Sequence, residues 1–522
     1  MAVKKGRVHQ KGLSFVSNSI FLTVVLLLFQ IALWAGFYQL VTQTLDDFPA
    51  MVVRIVVAVL KVSMIGYIIL RCPHNAYQIS WLILLVIAPG FALMMYVIIR
   101  LVPGTAHLTK QVYDRKINTD LHLVDSEMAR RDLAMMDRRY VGLFQYLAAD
   151  GRYPSYYADD LTYYDNGGAA LEAMFADLDQ AKSFIFMEYF IVSEGQILDY
   201  LLEILKKKID EGVEVRLMYD GLCGLRLPSG FAERCNDLGI MCCAFSPIRP
   251  VISSYQNNRD HRKITVIDGK IAYTGGFNLA DEYANLIDRF GHWKDAGVRI
   301  TGHGVQSLTG MFLQMWGVAA DWQTDAYARY MKIDALPVPS KSIIAPYADA
   351  PENHRDTAAD VYCQILDLAE DYVHIMTPYL ILDERLRKSL EFAAERGIDV
   401  TLLLPHIPDK KIVFLIARSY YPELLASGIK IYEYTPGFVH SKVFVSDDCV
   451  ATVGSVNLDF RSLFLHFENS VLAYDKSFAR RVEADFDQTL EESERIYLKT
   501  YSAFPWYKRA FGRLMRVFGP LM

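Results

Sequence analysis

Residues 261–278 read HRKITVIDGKIAYTGGFN, and residues 440–457 read HSKVFVSDDCVATVGSVN. Written as spacing, each is H-x-K-x4-D-x6-G-(G/S)-x-N. The first copy supplies His261, Lys263, Asp268, Gly275, Gly276 and Asn278. The second supplies His440, Lys442, Asp447, Gly454, Ser455 and Asn457. A single H-x-K would carry no weight, but two copies sharing the later Asp, Gly and Asn are not a product of chance. In a strand, alternate side chains share a face, so His and Lys at i and i+2 project together. The residues between Lys and Asp (ITVI and VFVS) are mostly apolar, as a buried strand requires. The Gly-(Gly/Ser) pair lets the backbone approach closely, and the Asn offers amide donors nearby.

Two His, two Lys and two Asn suit a phosphate group. The lysines offset its charge and stabilise the oxyanions of an in-line displacement. One neutral imidazole can attack phosphorus while the other, protonated, donates to the departing alcohol. That division of labour needs two histidines in different protonation states, so one copy alone is half a site. A lone strand histidine such as His122 or His374 reads as an ordinary packed residue. A metal site built on the two His and two Asp is rejected, because a Lys two residues from each His repels a cation.

Working outward, the soluble part has an α/β pattern that occurs twice. Residues 183–192 read as a strand, 197–211 as a helix ended by Gly212, and 213–219 as a strand. Residues 372–382, 384–396 with Gly397, and 398–404 repeat the order. A first domain is expected over 113–325 and a second over 357–500. Between them lies a connector, 326–356, whose 324–356 surroundings hold Pro337, Pro339, Pro346 and Pro351. Before them, residues 1–105 read as a membrane anchor with apolar segments at about 20–41, 51–70 and 79–99. The first is uncharged and long enough to span a bilayer, and the second contains Arg54 and Lys61. The expected place is therefore the cell membrane, with several spans. Basic residues flank both ends of the three segments, so charge does not set their orientation. The tail 501–522 places Lys508, Arg509, Arg513 and Arg516 among Trp506, Phe511, Leu514, Met515 and Phe518. That pattern fits an amphipathic helix, lying either on anionic lipid or on the protein itself. A net charge of −6 argues against a nucleic-acid binder. Seven cysteines without paired CxxC spacing indicate neither a disulfide framework nor a structural zinc.

At the doubled motif the sequence resembles the phospholipase D superfamily, and its finer features resemble the bacterial cardiolipin synthases over nearly the whole chain after about residue 60. Those features include Asn257–Asp260 before His261, Asp281-Glu282-Tyr283, Trp293-Lys294-Asp295, Asn457-Leu458-Asp459, Arg461-Ser462 and Phe467-Glu468-Asn469. The resemblance implies an α/β fold of two pseudo-symmetric phospholipase D-like domains sharing one active site, preceded by transmembrane helices. It implies a phosphohistidine intermediate and no cofactor or metal. It implies that His261, Lys263, Asp268, His440, Lys442 and Asp447 form the catalytic set, with the two Asp orienting or supporting the site. Asn278, Asn457, Gly276, Ser455, Glu188 and Glu468 would border the phosphate. Glu188-Tyr189 is matched to Pro378-Tyr379 in the internal repeat. By analogy His261 is the nucleophile and His440 the general acid/base, although the pseudo-symmetry leaves the choice open. The implied reaction transfers a phosphatidyl group between two phosphatidylglycerols, giving cardiolipin and glycerol in a bacterial membrane. Hydrolysis, or transfer to another alcohol, is the alternative, and a nuclease of the same superfamily is a more distant one.

Overall fold

The computed structural model describes residue 36 and residues 47–521, apart from 72–74, 91, 94–95, 97–104, 151–152, 248–256, 322–326, 333–337 and 352–354. The chain divides into two compact units, one ending at Val102 and one running Pro103–Pro520.

In the first unit, helix Asp47–Arg71 packs against helix Asn75–Ile87 through a small cluster of Met64, Ile68, Leu85, Ala92 and Tyr96. Among the described residues no helix is long and apolar enough to cross a membrane. This corrects the expectation of several spans. The 51–70 stretch carries Arg54 and Lys61 inside its helix. The 79–99 stretch begins in a helix of 13 residues, about 20 Å long against roughly 30 Å of hydrocarbon. The first expected span, 20–41, lies outside the described residues except for Gly36.

The second unit holds two sheets of the same design. In the first, the strand order is Asp160–Tyr164, Gly297–Thr301, Ile271–Gly275, Lys263–Ile267, Phe184–Tyr189, Glu214–Asp220, Met241–Phe245. In the second, the corresponding run is Ile343–Asp349, Glu468–Tyr474, Val450–Gly454, Val443–Ser446, Tyr372–Met376, Asp399–Pro405, Lys430–Tyr434. Tyr156–Tyr157 and Ser493–Ile496 extend its two edges. The stretch 326–356, read from sequence as a connector, thus contains a fully buried strand of the second sheet.

Alternation along the strands places a helical layer on each face. In Phe184–Tyr189, Ile185, Met187 and Tyr189 join the core formed with helices Gly167–Leu178 and Gln196–Asp210. Phe186 points the other way and stacks on Phe312 of helix Val305–Ala319, centroids 4.7 Å apart. The second half repeats this: His374 stacks on Phe486 of helix Lys476–Glu491 at 4.6 Å, and its Nδ1 meets Glu483 at 2.7 Å. His374 is the packed residue that its strand setting suggested. Gly212 and Gly397 take φ of 87° and 96° after helices Gln196–Asp210 and Glu384–Glu395. That left-handed turn, which glycine adopts without strain, sends the chain into the next parallel strand.

Strand register corrects one equivalence. Glu188 pairs with Ile264, and Met376 pairs with Val443. Ile264 and Val443 each follow a motif lysine, so the counterpart of Glu188 is Met376 rather than Pro378.

Candidate active site

The motif histidines stand just before strands Lys263–Ile267 and Val443–Ser446, beyond the carboxyl ends of the parallel strands, where α/β sheets commonly place their ligands. Two short backbone pairings bring the halves together there. Gly437–Val439 runs parallel to His292–Lys294, and Asp260 bridges Phe467. Each pairing sets a histidine of one half beside a carboxylate of the other. The His261 N–H donates to the carbonyl of Phe467 at 2.9 Å, and the His440 N–H donates to the carbonyl of Lys294 at 2.6 Å. The residues that follow those carbonyls are Glu468 and Asp295. His261 Nδ1 lies 2.9 Å from Glu468 Oε2, and His440 Nδ1 lies 2.7 Å from Asp295 Oδ2.

A carboxylate at Nδ1 fixes the tautomer with its proton on that nitrogen and leaves Nε2 as the reactive lone pair. Both imidazoles, both lysines and both carboxylates are buried. The amines of Lys263 and Lys442 donate to the carbonyls of His261 and His440, two residues back. Burial lowers Lys263 to about 8 and Lys442 to about 7. An incoming anion favours their charged forms. Burial, then the nearby Lys263, holds His261 well below its ordinary value. Burial and Lys442 bring His440 to about 4, partly offset by Asp295.

The two carboxylates differ. Burial raises Glu468 to about 8, only partly countered by Lys263 and by hydrogen bonds from serines. Asp295 is equally buried, but His440, with Lys442 behind it, holds it below the usual carboxylate value. The His440–Asp295 pair is therefore the better one to carry an imidazolium. The His261–Glu468 pair favours a neutral imidazole.

The small residues after each hairpin support these carboxylates. The Ser455 hydroxyl donates to Glu468. Gly276 holds the matching place, where a Cβ would come within 2.0 Å of Asp295 Oδ1. Asn278 Oδ1 accepts from the Ile191 N–H at 2.9 Å, and Asn457 Nδ2 donates to Ser462 Oγ at 3.0 Å. Both asparagines fix the loops that follow the motifs.

Two expected site residues stand elsewhere. Asp268 accepts the backbone N–H groups of Lys182, Ser183 and Phe184 at 2.7–2.9 Å. Asp447 does the same for Glu370, Asp371 and Tyr372 at 2.9–3.0 Å. Each follows the far end of its motif strand, about 20 Å from the histidine at ~3.3 Å per residue. They pin strand starts and do not reach the reacting atoms. Glu188 stands against Asp260, the residue before His261. Burial, then the Asp260 charge, pushes its carboxyl well above the ordinary range. The Arg262 charge offsets part of that shift.

Two residues were not read as site residues from the sequence. Asp295 was seen only as part of a family-like run. His466 was not singled out. Its ring lies 5.6 Å from that of His261, buried, with neither nitrogen hydrogen-bonded. His261, His466 and Glu468 could place three metal-ligating atoms within 4.8 Å of one another. Lys263 next to them and the Ser455 bond to Glu468 oppose a cation and favour an anion.

A family model described as "Cardiolipin synthase, PLD-like domain" matches residues 362–490. An uncharacterized protein of Streptococcus mutans is 46% identical over 386 residues, covering 74% of this chain and 83% of its own. Cardiolipin synthase 2 of Bacillus anthracis is 33% identical over 465 residues, covering 88% of this chain and 90% of its own. The crystal structure of a phosphatidylserine synthase from Haemophilus influenzae covers 74% of this chain and 100% of its own with a TM-score of 0.58. Its identity is 14%, so the likeness is one of fold.

Proposed function

The chain belongs to the cardiolipin synthase family, and on that premise we propose that it transfers a phosphatidyl group from one phosphatidylglycerol to another. The observation that carries the reading is the crossed pairing of His261 with Glu468 and His440 with Asp295.

The phosphodiester anion enters between Lys263 and Lys442. Its charge offsets the lysines that depress His440, and His440 takes up a proton beside Asp295. His261 Nε2 attacks phosphorus, and the bond from phosphorus to the headgroup glycerol oxygen breaks. His440 Nε2–H gives its proton to that oxygen, and glycerol leaves. A hydroxyl of a second phosphatidylglycerol then loses its proton to His440 and attacks phosphorus. The phosphorus–His261 bond breaks, releasing cardiolipin with His261 neutral and His440 protonated as at the start. The lysines stabilise the equatorial oxyanions in both steps.

Burial of the pocket restricts water, the competing acceptor. The uncharged stretch 20–41 and the exposed apolar side chains Ile55, Val56, Val59, Leu60 and Leu70 of helix Asp47–Arg71 support a membrane-held enzyme. Such anchoring in the bacterial cell membrane would take both substrates from one bilayer.

The test supplies the protein in vesicles with phosphatidylglycerol and follows lipid products and glycerol, beside His261→Ala and His440→Ala. Cardiolipin and glycerol in equal amounts, lost in both variants, is the expected result. Phosphatidic acid without cardiolipin would make the protein a hydrolase, and product persisting in either variant would refute the assigned site.

A further inference from the structure

Helix Trp506–Arg516 near the C-terminus is docked with its polar side inward. Successive helical residues turn by about 100°, which puts Trp506, Tyr507, Ala510, Phe511 and Leu514 on one side. Arg509, Gly512 and Arg516 lie on the opposite side. The second set meets the protein. Gly512 is buried so closely that a Cβ would approach the Leu415 carbonyl oxygen to 2.3 Å. Arg516 makes two contacts of 2.9 Å with Glu423 and lies 3.8 Å over the ring of Tyr420. Arg509 lies over Tyr501 at 5.8 Å. The apolar set faces out: Trp506 is 74% exposed, Leu514 61%, Tyr507 57% and Phe511 41%.

A helix on a soluble surface is expected the other way round. A fixed contact that turns four large apolar side chains outward implies something apolar to receive them. The border residues identify its chemistry. Lys508 and Arg513 flank the apolar face on its two sides, and both are exposed. Leu514 and Tyr507 in the middle of the face, Trp506 and Phe511 toward its rims and cations beyond them match the layered order of a bilayer surface: acyl chains, carbonyl region, anionic phosphates.

We propose that the outward face of helix Trp506–Arg516 is a binding site for an anionic lipid bilayer, lying in the headgroup boundary as a second attachment besides the N-terminal region. It would seat the second unit against the surface from which it draws lipid. The proposal rests on the docking of this helix and not on the identity of the reaction.

The test uses the full chain in vesicles of phosphatidylcholine with or without phosphatidylglycerol, some lipids carrying bromine near the top of the acyl chains. The chain has six tryptophans. With the anionic lipid, bromine should quench the wild type more than Trp506→Phe by about one tryptophan's share of the emission, with Trp506 at interfacial depth. Equal quenching in the two proteins would place Trp506 in water and overturn the proposal. Quenching that is as strong without the anionic lipid would overturn its charge component. Hydrogen exchange gives an independent reading. Amides of 506–516 should exchange about tenfold more slowly in anionic vesicles than in detergent, and Phe511→Asp with Leu514→Asp should abolish the difference. Protection in detergent that grows with protein concentration would instead assign the face to a second copy of the chain.

Discussion

Replacing Asp295 by Asn keeps the size of the side chain and removes the charge that holds His440. The bond lost is 2.7 Å long, between two fully buried groups. A hydrogen bond to a charged group contributes about 1.5–3 kcal/mol. At ~1.36 kcal/mol per tenfold in rate, that predicts a kcat lower by about 10- to 150-fold. If the amide also turns the imidazole to its other tautomer, the loss can grow toward about 10⁴-fold. Glu468 keeps its proton at neutral pH, so Glu468→Gln removes a neutral hydrogen bond of about 1 kcal/mol and should lower kcat by about fivefold. Transfer to phosphatidylglycerol alone would not tell the two apart. A phosphatidyl ester of p-nitrophenol does so, because its leaving group departs without a proton. With Asp295→Asn, the first step then proceeds and the second stalls, so stopped-flow absorbance should show a burst of about one nitrophenolate per enzyme followed by slow turnover. With Glu468→Gln the nucleophile itself is disordered, and the burst should be slow. If either variant keeps kcat within about twofold of the wild type, the crossed pairs are not catalytic supports. If the burst pattern is reversed, His440 is the nucleophile and the assigned roles are wrong.

Asp268→Ala and Asp447→Ala should each destabilise the fold by about 1–3 kcal/mol, since each removes the acceptor of three backbone N–H groups. The folded fraction should keep a near-normal kcat per active site, measured by denaturant midpoint together with burst titration; a collapse of kcat at full stability would return these residues to the chemistry. Gly276→Ala should behave like Asp295→Asn, because the added Cβ would sit 2.0 Å from Asp295 Oδ1. A variant with wild-type turnover would show that the carboxylate can move without consequence. Glu468 is held at about 8 against an ordinary 4.5. Between those values the folded chain binds a proton that the unfolded chain has lost, so this stabilising contribution, complete below 4.5, disappears as pH rises through about 8. Relative to Glu468→Gln, the wild type should therefore lose stability from pH 4.5 to 8 in chemical denaturation, and parallel profiles would place an ordinary carboxylate there.

The repeated motif made the histidines, the lysines and the pairing of two α/β halves readable, because each copy lies on one hairpin where spacing dictates position. The carboxylates were harder to read. Asp295 follows Gly276 by 19 residues while Glu468 follows Ser455 by 13, so no common spacing links them. Each serves the histidine of the opposite half, a relation that only the fold creates. The motif aspartates misled in the other direction. Asp268-Gly269 and Asp447-Asp448 have φ of 54°, 66°, 51° and 52°. They are the left-handed corner of the hairpin between the two motif strands, which Asp and Gly tolerate well. An Asp-Gly pair between two apolar runs was itself the turn signal. Glu188 was misplaced because periodicity alone cannot set the register of two repeats, and a slip of two residues keeps every side chain on its expected face. For the N-terminal stretches, hydropathy was averaged over charges that fall inside a helix, at Arg54 and Lys61, and over a helix that ends at Ile87.

The crossed pairing also bears on how one near-symmetric site carries out an asymmetric reaction. The two halves supply the same His and Lys in the same setting, and symmetry would give two equal imidazoles. The difference lies one shell out. Asp295 is accompanied by a glycine, so its charge is balanced chiefly by His440 and Lys442. Glu468 is bonded by Ser455, and burial prevails over Lys263 in keeping its proton. His466 stands beside His261 and adds to the forces against a positive ring there. These differences support the proposed roles, a neutral nucleophile at His261 and a chargeable acid at His440, although the motif that builds the two is the same.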